Sequence, residues 1–385
     1  MSQEVVRAGA LPAVAVVGAG WSGVVAARTL YDAGCRVHVF ERDTAIGGHS
    51  RAGFLNGVLF EPEGPHIFHT SNADVAAFVR RFGMTDEYMH RGLTEIFLSD
   101  SDEDPQLLSW PPQVDELKLL PIWPDIELEL SRLPVEPSTA DLESYCLSIM
   151  GRTLYRLFIE GYSIKQWGKH PAELSQKFAP GRLDLRTDGN RRLFRDRWEY
   201  FPARGAQEII ENIARPLPAT FGESITVRHL EALEVEFDAI VITGALDEFV
   251  GRPDELEWRG IRTVNRYIPL EDPSGTVTAG YIVNQPSLRR PYTRTVESKH
   301  ATGQSIRGTV VTEEYPGHPA RHYPVLTVDG RNELANERIQ AEIRESTRMA
   351  VHFCGRLANY TYINQDVAIE QGFSTARECL DGMRR

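Results

Sequence analysis

Gly18, Gly20 and Gly23 stand in the spacing G-x-G-x-x-G. A chain with that spacing can turn tightly, bring its backbone close to a pyrophosphate and pack the next helix against the preceding strand. A helix starting there aims unpaired N–H groups at phosphate oxygens. Glu41 lies 23 residues after Gly18, where a carboxylate can accept hydrogen bonds from ribose hydroxyls. Gly47-Gly48 adds a second glycine turn just past that acid, the habit of chains that pass close to the pyrophosphate of FAD. Simple NAD-type dehydrogenases do not usually carry it. Gly355-Arg356 ahead of a final helix fits as well, with the helix start against a flavin's pyrimidine edge. The spacing predicts a dinucleotide site, and the added turn selects FAD over NAD.

The elements around these glycines are the ones such a site needs. Ala13–Val17 is a continuous apolar run, as in a buried parallel strand. Val24–Ala33 has helical character and stops at Gly34, and Arg36–Phe40 is a second strand ending at Glu41. Further on, Asn72–Phe82 has helical spacing. Ser138 and Asp141 suggest a capping box before Leu142, Tyr145, Cys146 and Ile149, which share one helix face closed by Gly151. A second helix is expected over Arg152–Glu160, a third over Ala206–Arg215. Strands are expected at Ile225–His229, Asp238–Thr243, Val277–Val283, Gly308–Thr312, Val325–Val328 and Val351–Phe353. Two further helices follow, over residues 335–349 and near 366–380.

With 385 residues, 42% hydrophobic and 25% charged, the chain reads as a soluble globular protein of two or three domains. A net charge of −12 argues against nucleic acid as a partner. Only five of the 42 basic residues are lysines, and a few arginines can still build a local anion site. The four cysteines form no CxxC pair and read as reduced thiols. The apolar stretch Ala10–Gly20 is too short to span a bilayer and lacks a basic leader, so a cytoplasmic protein with no membrane span is expected. The histidines show no metal-ligand spacing, so no metal is expected, and no serine or cysteine nucleophile stands out.

Five further stretches carry a resemblance: Gly64-Pro65-His66-Ile67-Phe68-His69-Thr70; Gly161-Tyr162-Ser163-Ile164-Lys165-Gln166-Trp167-Gly168; Pro291-Tyr292-Thr293-Arg294; Tyr323-Pro324-Val325; and Gly355-Arg356-Leu357-Ala358-Asn359-Tyr360-Thr361-Tyr362. In order and spacing the chain resembles the UDP-galactopyranose mutase family over nearly its whole length. The resemblance implies an α/β fold: a Rossmann-type FAD-binding domain (residues 1–80, 201–250 and 345–385), an inserted helical domain (81–180), and a twisted antiparallel β-sheet substrate domain (181–200 and 251–344). It implies a non-redox interconversion of the pyranose and furanose forms of a nucleotide-diphosphate sugar. In that chemistry N5 of reduced FAD attacks the anomeric carbon, the nucleotide leaves, the sugar ring opens and recloses, and the nucleotide returns. A homodimer is also implied.

The resemblance assigns roles residue by residue. Arg182 and Arg294 clamp the diphosphate, with Arg182 on a mobile lid that also carries Pro180 and Gly181. Phe158, Tyr162 and Trp167 take the base, and Tyr323 and Tyr362 hydrogen-bond the diphosphate. His66 either faces the flavin or is a buried histidine satisfied by backbone. Cofactor contacts are implied at Gly18, Gly20, Trp21, Ser22, Gly23, Glu41, Arg42, Gly47, Gly48, His49, Gly244 and Arg356. Four positions depart from the family's pattern: Asn364 for an aspartate, Leu193 for a tyrosine, Gln113 for a short polar residue, and His49 for an asparagine. Asn364 and Gln113 still fall at substrate-binding positions. The altered set leaves the sugar open between galactose and a modified or 6-deoxy hexose, and the handle between uridine and thymidine. The rival reading is an FAD-dependent oxidoreductase of the amine-oxidase-like superfamily.

Overall fold

The structure is a computed structural model, and it describes residues 11–99, 101–178 and 183–383. The chain divides into two compact units. One comprises Met1–Gly48, Ile210–Leu256 and Ala335–Arg385; the other comprises His49–Ile209 and Glu257–Leu334.

The first unit is built on a five-stranded parallel sheet. Its strand order is Ala350–Phe353, Ala239–Ile242, Ala13–Val17, Arg36–Glu41, Ala219–Phe221. The central strand pairs Val14 with Ala239 on one side and with Val37 on the other. Val14, Ala15 and Val16 are wholly buried, as a strand covered on both faces requires. The helix Trp21–Asp32 leaves the glycine turn directly and packs against the long helix Gln365–Met383. Gly372 permits this approach, since a Cβ there would lie 2.9 Å from Val25 Cβ.

The second unit holds a six-stranded sheet in the order Trp258–Ile268, Thr309–Pro324, Arg294–Val296, Ile282–Asn284, Gly92–Ile96, Gln106–Trp110. Neighbours are antiparallel except Ile282–Asn284 beside Gly92–Ile96. The last two strands come from the stretch expected to be a separate helical insertion. They complete this sheet, so helices and sheet form one unit where the sequence predicts two pieces. Beside the sheet lies a helical core that includes Leu117, Ile126, Cys146, Met150, Leu154 and Phe158.

Several local expectations are corrected. Asp141 alone caps the helix Leu142–Tyr155, its Oδ1 accepting from Ser144 N–H at 2.7 Å, while Ser138 N–H donates to Ser148 Oγ. Gly151, expected to end that helix, is a kink within it at φ 75°. Glu129 explains the kink: it accepts from both N–H and hydroxyl of Thr153, at 2.7 and 2.9 Å, and restarts the helix. The Ile225–His229 strand is instead a short 3₁₀ turn at Val227–His229, closed by mutual capping of Thr226 and His229. The run Val325–Val328 is irregular apart from one bridge between Leu174 and Thr327.

Candidate functional site

Each unit carries part of the expected machinery. In the first, the glycine turn makes a cradle. A Cβ on Gly23 would sit 2.0 Å from Gly18 O, so helix and turn touch through bare backbone. The second turn faces the first, with a Cβ on Gly48 placed 3.2 Å from Gly20 Cα, and Gly47 N–H donates to Ala19 O at 3.0 Å. Gly244 adjoins Gly18. The helix Trp21–Asp32 has no side-chain cap and no acid in its first turn, which leaves its N-terminal field for an anion. Trp21 and Ser22 are buried at that end. These features fit a bound dinucleotide.

Glu41 does more than the sequence suggests. It is buried, its Oε2 accepts from Ala19 N–H at 2.7 Å and its Oε1 from Asp43 N–H at 2.9 Å. The carboxylate therefore ties the glycine turn to its own strand end, with a second lone pair on each oxygen for a ribose. Arg42 is paired with Glu248 at 2.8 Å. Gly355-Arg356 opens a four-residue helix, Gly355–Ala358, not the final helix, which starts at Gln365. The Arg356 guanidinium lies over the Tyr362 ring at 5.2 Å and donates to Ile363 O, so it braces the segment carrying Tyr362 and Asn364.

In the second unit, the structure gathers three of the expected substrate residues around Arg294. Tyr162 and Tyr323 lie close enough to act on its charge, and Trp167 meets Tyr323 edge-on at 6.0 Å. Arg294 itself is largely buried, and its Nε donates to the fully buried Glu314 at 2.9 Å. Burial works against its charge, but Glu314 and the two tyrosines outweigh it and hold the guanidinium well above its ordinary range. The Gly64-Pro65-His66 turn adjoins this group, since a Cβ on Gly64 would sit 3.1 Å from Glu314 Oε2 and 4.0 Å from Tyr323 Oη. His66 N–H donates to Glu61 Oε1 at 2.8 Å. Glu61 in turn accepts a short hydrogen bond from the buried Tyr281 hydroxyl. Burial is the largest influence on Glu61 and pushes its carboxyl up to about 7.

The aromatic helix, Gly161–Trp167, is capped at its C-terminus by Gly168 in the left-handed region and by Arg259, which donates to Gln166 O at 2.8 Å and Lys165 O at 3.0 Å. A π-helical turn, Arg156–Glu160, precedes it. Phe158 sits in that turn, only 3% exposed, stacked on Trp110 at 6.0 Å inside the helical core. Tyr162 and Trp167 are half-buried.

Other expected residues have structural duties. Gln113 is buried and donates from Nε2 to Asn190 O at 2.8 Å. His49 stacks on His322 at 4.6 Å. His322 accepts from Ile261 N–H at Nδ1 (3.3 Å), and its Nε2 meets Glu63 at 2.8 Å, which fixes the ring as the Nε2–H tautomer. That pair holds Glu63 below its usual carboxylate range, His322's hydrogen bond being the largest cause. Arg182, with Pro180 and Gly181, lies outside the described residues.

Sequence reading missed Glu314, Glu61, Tyr281, Arg259 and the role of Lys165. Only its place in the Gly161–Gly168 motif stretch marked the last of these. Among the described residues the fold also brings ligand atoms of Glu143, Glu160 and His170 within 4.8 Å of one another, a grouping invisible in their spacing. His170 Nδ1 there accepts from Ala172 N–H at 3.3 Å as a helix cap. No helix among the described residues is long and apolar enough to cross a membrane.

Comparison with known proteins bears on both units. The family described as UDP-galactopyranose mutase matches residues 157–362, and a NAD(P)-binding Rossmann-like domain matches residues 16–82. A probable UDP-galactopyranose mutase of Klebsiella pneumoniae is 28% identical over 396 residues, covering 96% of this chain and 95% of that protein. A dTDP-fucopyranose mutase of Escherichia coli is 26% identical over 382 residues, covering 94% and 97%. Among solved structures, reduced UDP-galactopyranose mutase superposes with a TM-score of 0.75 at 17% identity, covering 96% of each chain. A putative protoporphyrinogen oxidase from Exiguobacterium sp. 255-15 gives 0.64 at 12% identity, covering 96% of this chain and 98% of that one. At these identities the two structures show a shared fold.

Proposed function

The chain belongs to the UDP-galactopyranose mutase family, and from that premise we propose that it interconverts the pyranose and furanose forms of a nucleotide-diphosphate hexose, with reduced FAD as its cofactor. The observation that carries this reading is the convergence of Arg294, Tyr162, Tyr323 and Trp167. An oxidase of small amines has no use for a largely buried cation with two tyrosines acting on its charge and an edge-on aromatic pair beside it. A leaving diphosphate needs that arrangement.

A reduced flavin, when bound, supplies an electron-rich ring nitrogen as nucleophile toward the anomeric carbon, with no net redox change. The chain's residues do the rest. Gly18, Gly20, Gly23, Gly48 and the uncapped helix start hold the cofactor's pyrophosphate. Tyr162 and Trp167 take the base, with Phe158 as a buried floor. Arg294 neutralises the diphosphate as charge builds on the departing oxygen, and Tyr323 donates a hydrogen bond to it. Because Arg294 is already paired and oriented, little reorganisation is needed as that charge develops.

A pyrimidine diphosphate fits the aromatic and cationic groups whether it is uridine or thymidine, and relatives are named for both a UDP-galactose and a dTDP-fucose substrate. The departure from the family's pattern at Asn364 favours a modified or 6-deoxy hexose in this chain. The test is to offer UDP-galactopyranose and dTDP-6-deoxyhexoses to dithionite-reduced protein and resolve the products by chromatography. Interconversion only in the reduced state supports the mutase, with the deoxy sugars turning over faster. Fastest turnover of UDP-galactose overturns the sugar assignment. Oxygen consumption matched to product would overturn the mutase reading itself.

A further inference from the structure

Lys165 lies on the aromatic helix, and its ammonium donates to four backbone carbonyls: Gln285, Ser287, Arg290 and Tyr292, at 2.5 to 3.0 Å. All four belong to the loop between the strands Ile282–Asn284 and Arg294–Val296. One turn earlier on the same helix face, Gly161 touches that loop, where a Cβ would sit 2.4 Å from Pro286 O. The loop closes on itself through Gln285 N–H to Thr293 O at 2.8 Å, and the residue after Thr293 is Arg294. The loop is thus wrapped around a cation that another element supplies.

Four carbonyl oxygens pointing at one spot repel one another unless a positive charge sits among them. An ammonium has only three N–H bonds, so one of its hydrogens is shared, and a cage of this kind matches a free ammonium ion as well as a lysine. A neutral side chain would leave the dipoles uncompensated and the loop free to open. Arg294 would then lose the backbone that aims it.

We propose that the Lys165 ammonium is the structural cation of the 285–292 loop and acts as a positioning residue, holding Arg294 in register with Tyr162 and Trp167. This rests on the reading of Arg294 as the diphosphate ligand. It assigns Lys165 no contact with substrate.

The test uses K165A, which empties the cage, and K165M, which keeps the stem and fills it. Titrations with UDP and with uridine separate the phosphate handle from the base. K165A is expected to bind UDP at least about tenfold more weakly, the scale of lost hydrogen bonds to a charged group, with uridine affinity changed far less. Adding ~100 mM ammonium chloride restores UDP affinity to K165A, while tetramethylammonium chloride at the same ionic strength does not, which excludes general screening. Ammonium restores nothing to K165M. In the ligand-free proteins, ammonium raises the melting temperature of K165A above its value in tetramethylammonium and leaves K165M unmoved. Should K165A fold poorly, recovery of soluble protein on refolding in the two salts replaces melting. Wild-type UDP affinity in K165A, equal loss of UDP and uridine, or equal response to both salts would overturn the proposal. If the wild-type protein itself ignores UDP, the diphosphate reading falls, and Arg294's positioning role with it. The melting comparison then judges the cage alone.

Discussion

Arg294 and Glu314 stand directly opposite each other on adjacent antiparallel strands, and the arginine Nε gives its hydrogen to the buried carboxylate at 2.9 Å. The register of the sheet therefore decides that the Arg294 guanidinium arrives with its counter-ion attached. One side of the guanidinium is held by Glu314, and its orientation is set before any ligand is present.

Removing one member of this pair should cost more than removing both. R294M leaves Glu314 as an uncompensated buried charge and is expected to lose about 3–5 kcal/mol of stability. Adding E314L should recover most of that loss without recovering turnover. Urea unfolding read beside activity separates the two. If the double variant is as unstable as the single one, the pairing is not what Glu314 is for.

Glu61 gives the protein a pH signature of unusual sign. Its carboxyl is pushed up to about 7, so the native state keeps a proton that the unfolded chain releases near the ordinary 4.5. Between those values the native state binds more protons, and stability falls as pH rises through the window. The cost is complete above the upper value, at about 3 kcal/mol on ~1.4 kcal/mol per unit. Glu61→Gln has no charge to bury, and its amide can still serve Tyr281 and the His66 N–H. The variant should melt higher than wild type near about pH 8, and the gap should close near about pH 4.5. A gap that stays constant with pH contradicts this account.

Tyr162 should act through its ring. Tyr162→Ala is expected to weaken UDP binding by roughly 5- to 100-fold, the range for loss of one base–aromatic stack. Tyr162→Phe should keep most of the affinity. Calorimetric titration of the two variants decides it, and equal losses would move the emphasis to the hydroxyl.

Gly23→Ala should strip the cofactor. Its Cβ would lie 2.0 Å from Gly18 O, so helix and turn must part at the point where the pyrophosphate would bind. The purified variant is expected to hold less than about a tenth of the wild-type flavin absorbance near 450 nm while its far-UV circular dichroism stays native. Full yellow colour would mean that the turn is not the cofactor's cradle.

What could be read from the chain alone was whatever is written within a few residues. The glycine turn, the helix that follows it and the apolar run of Ala13–Val17 are local matters of sterics and period; the strand appears where the residues predict it, and the helix does too except that it starts at Trp21, three residues before the predicted Val24. The motif stretches told which side chains to watch. Local reading failed where two signals compete. Asp141 caps alone although Ser138 precedes it, and Gly151 kinks a helix because Glu129, from another helix, restarts it.

The partners were decided only by the folded chain. Glu314 meets Arg294 because the strands register that way, Tyr281 reaches Glu61 across 220 positions, and Lys165 finds carbonyls 120 to 127 residues away. No spacing rule encodes such pairs, since each depends on which backbone segments pack together. Burial then turns them into chemistry: away from water a charge must find its counter-charge or its dipoles, and only the tertiary structure says which ones are within reach.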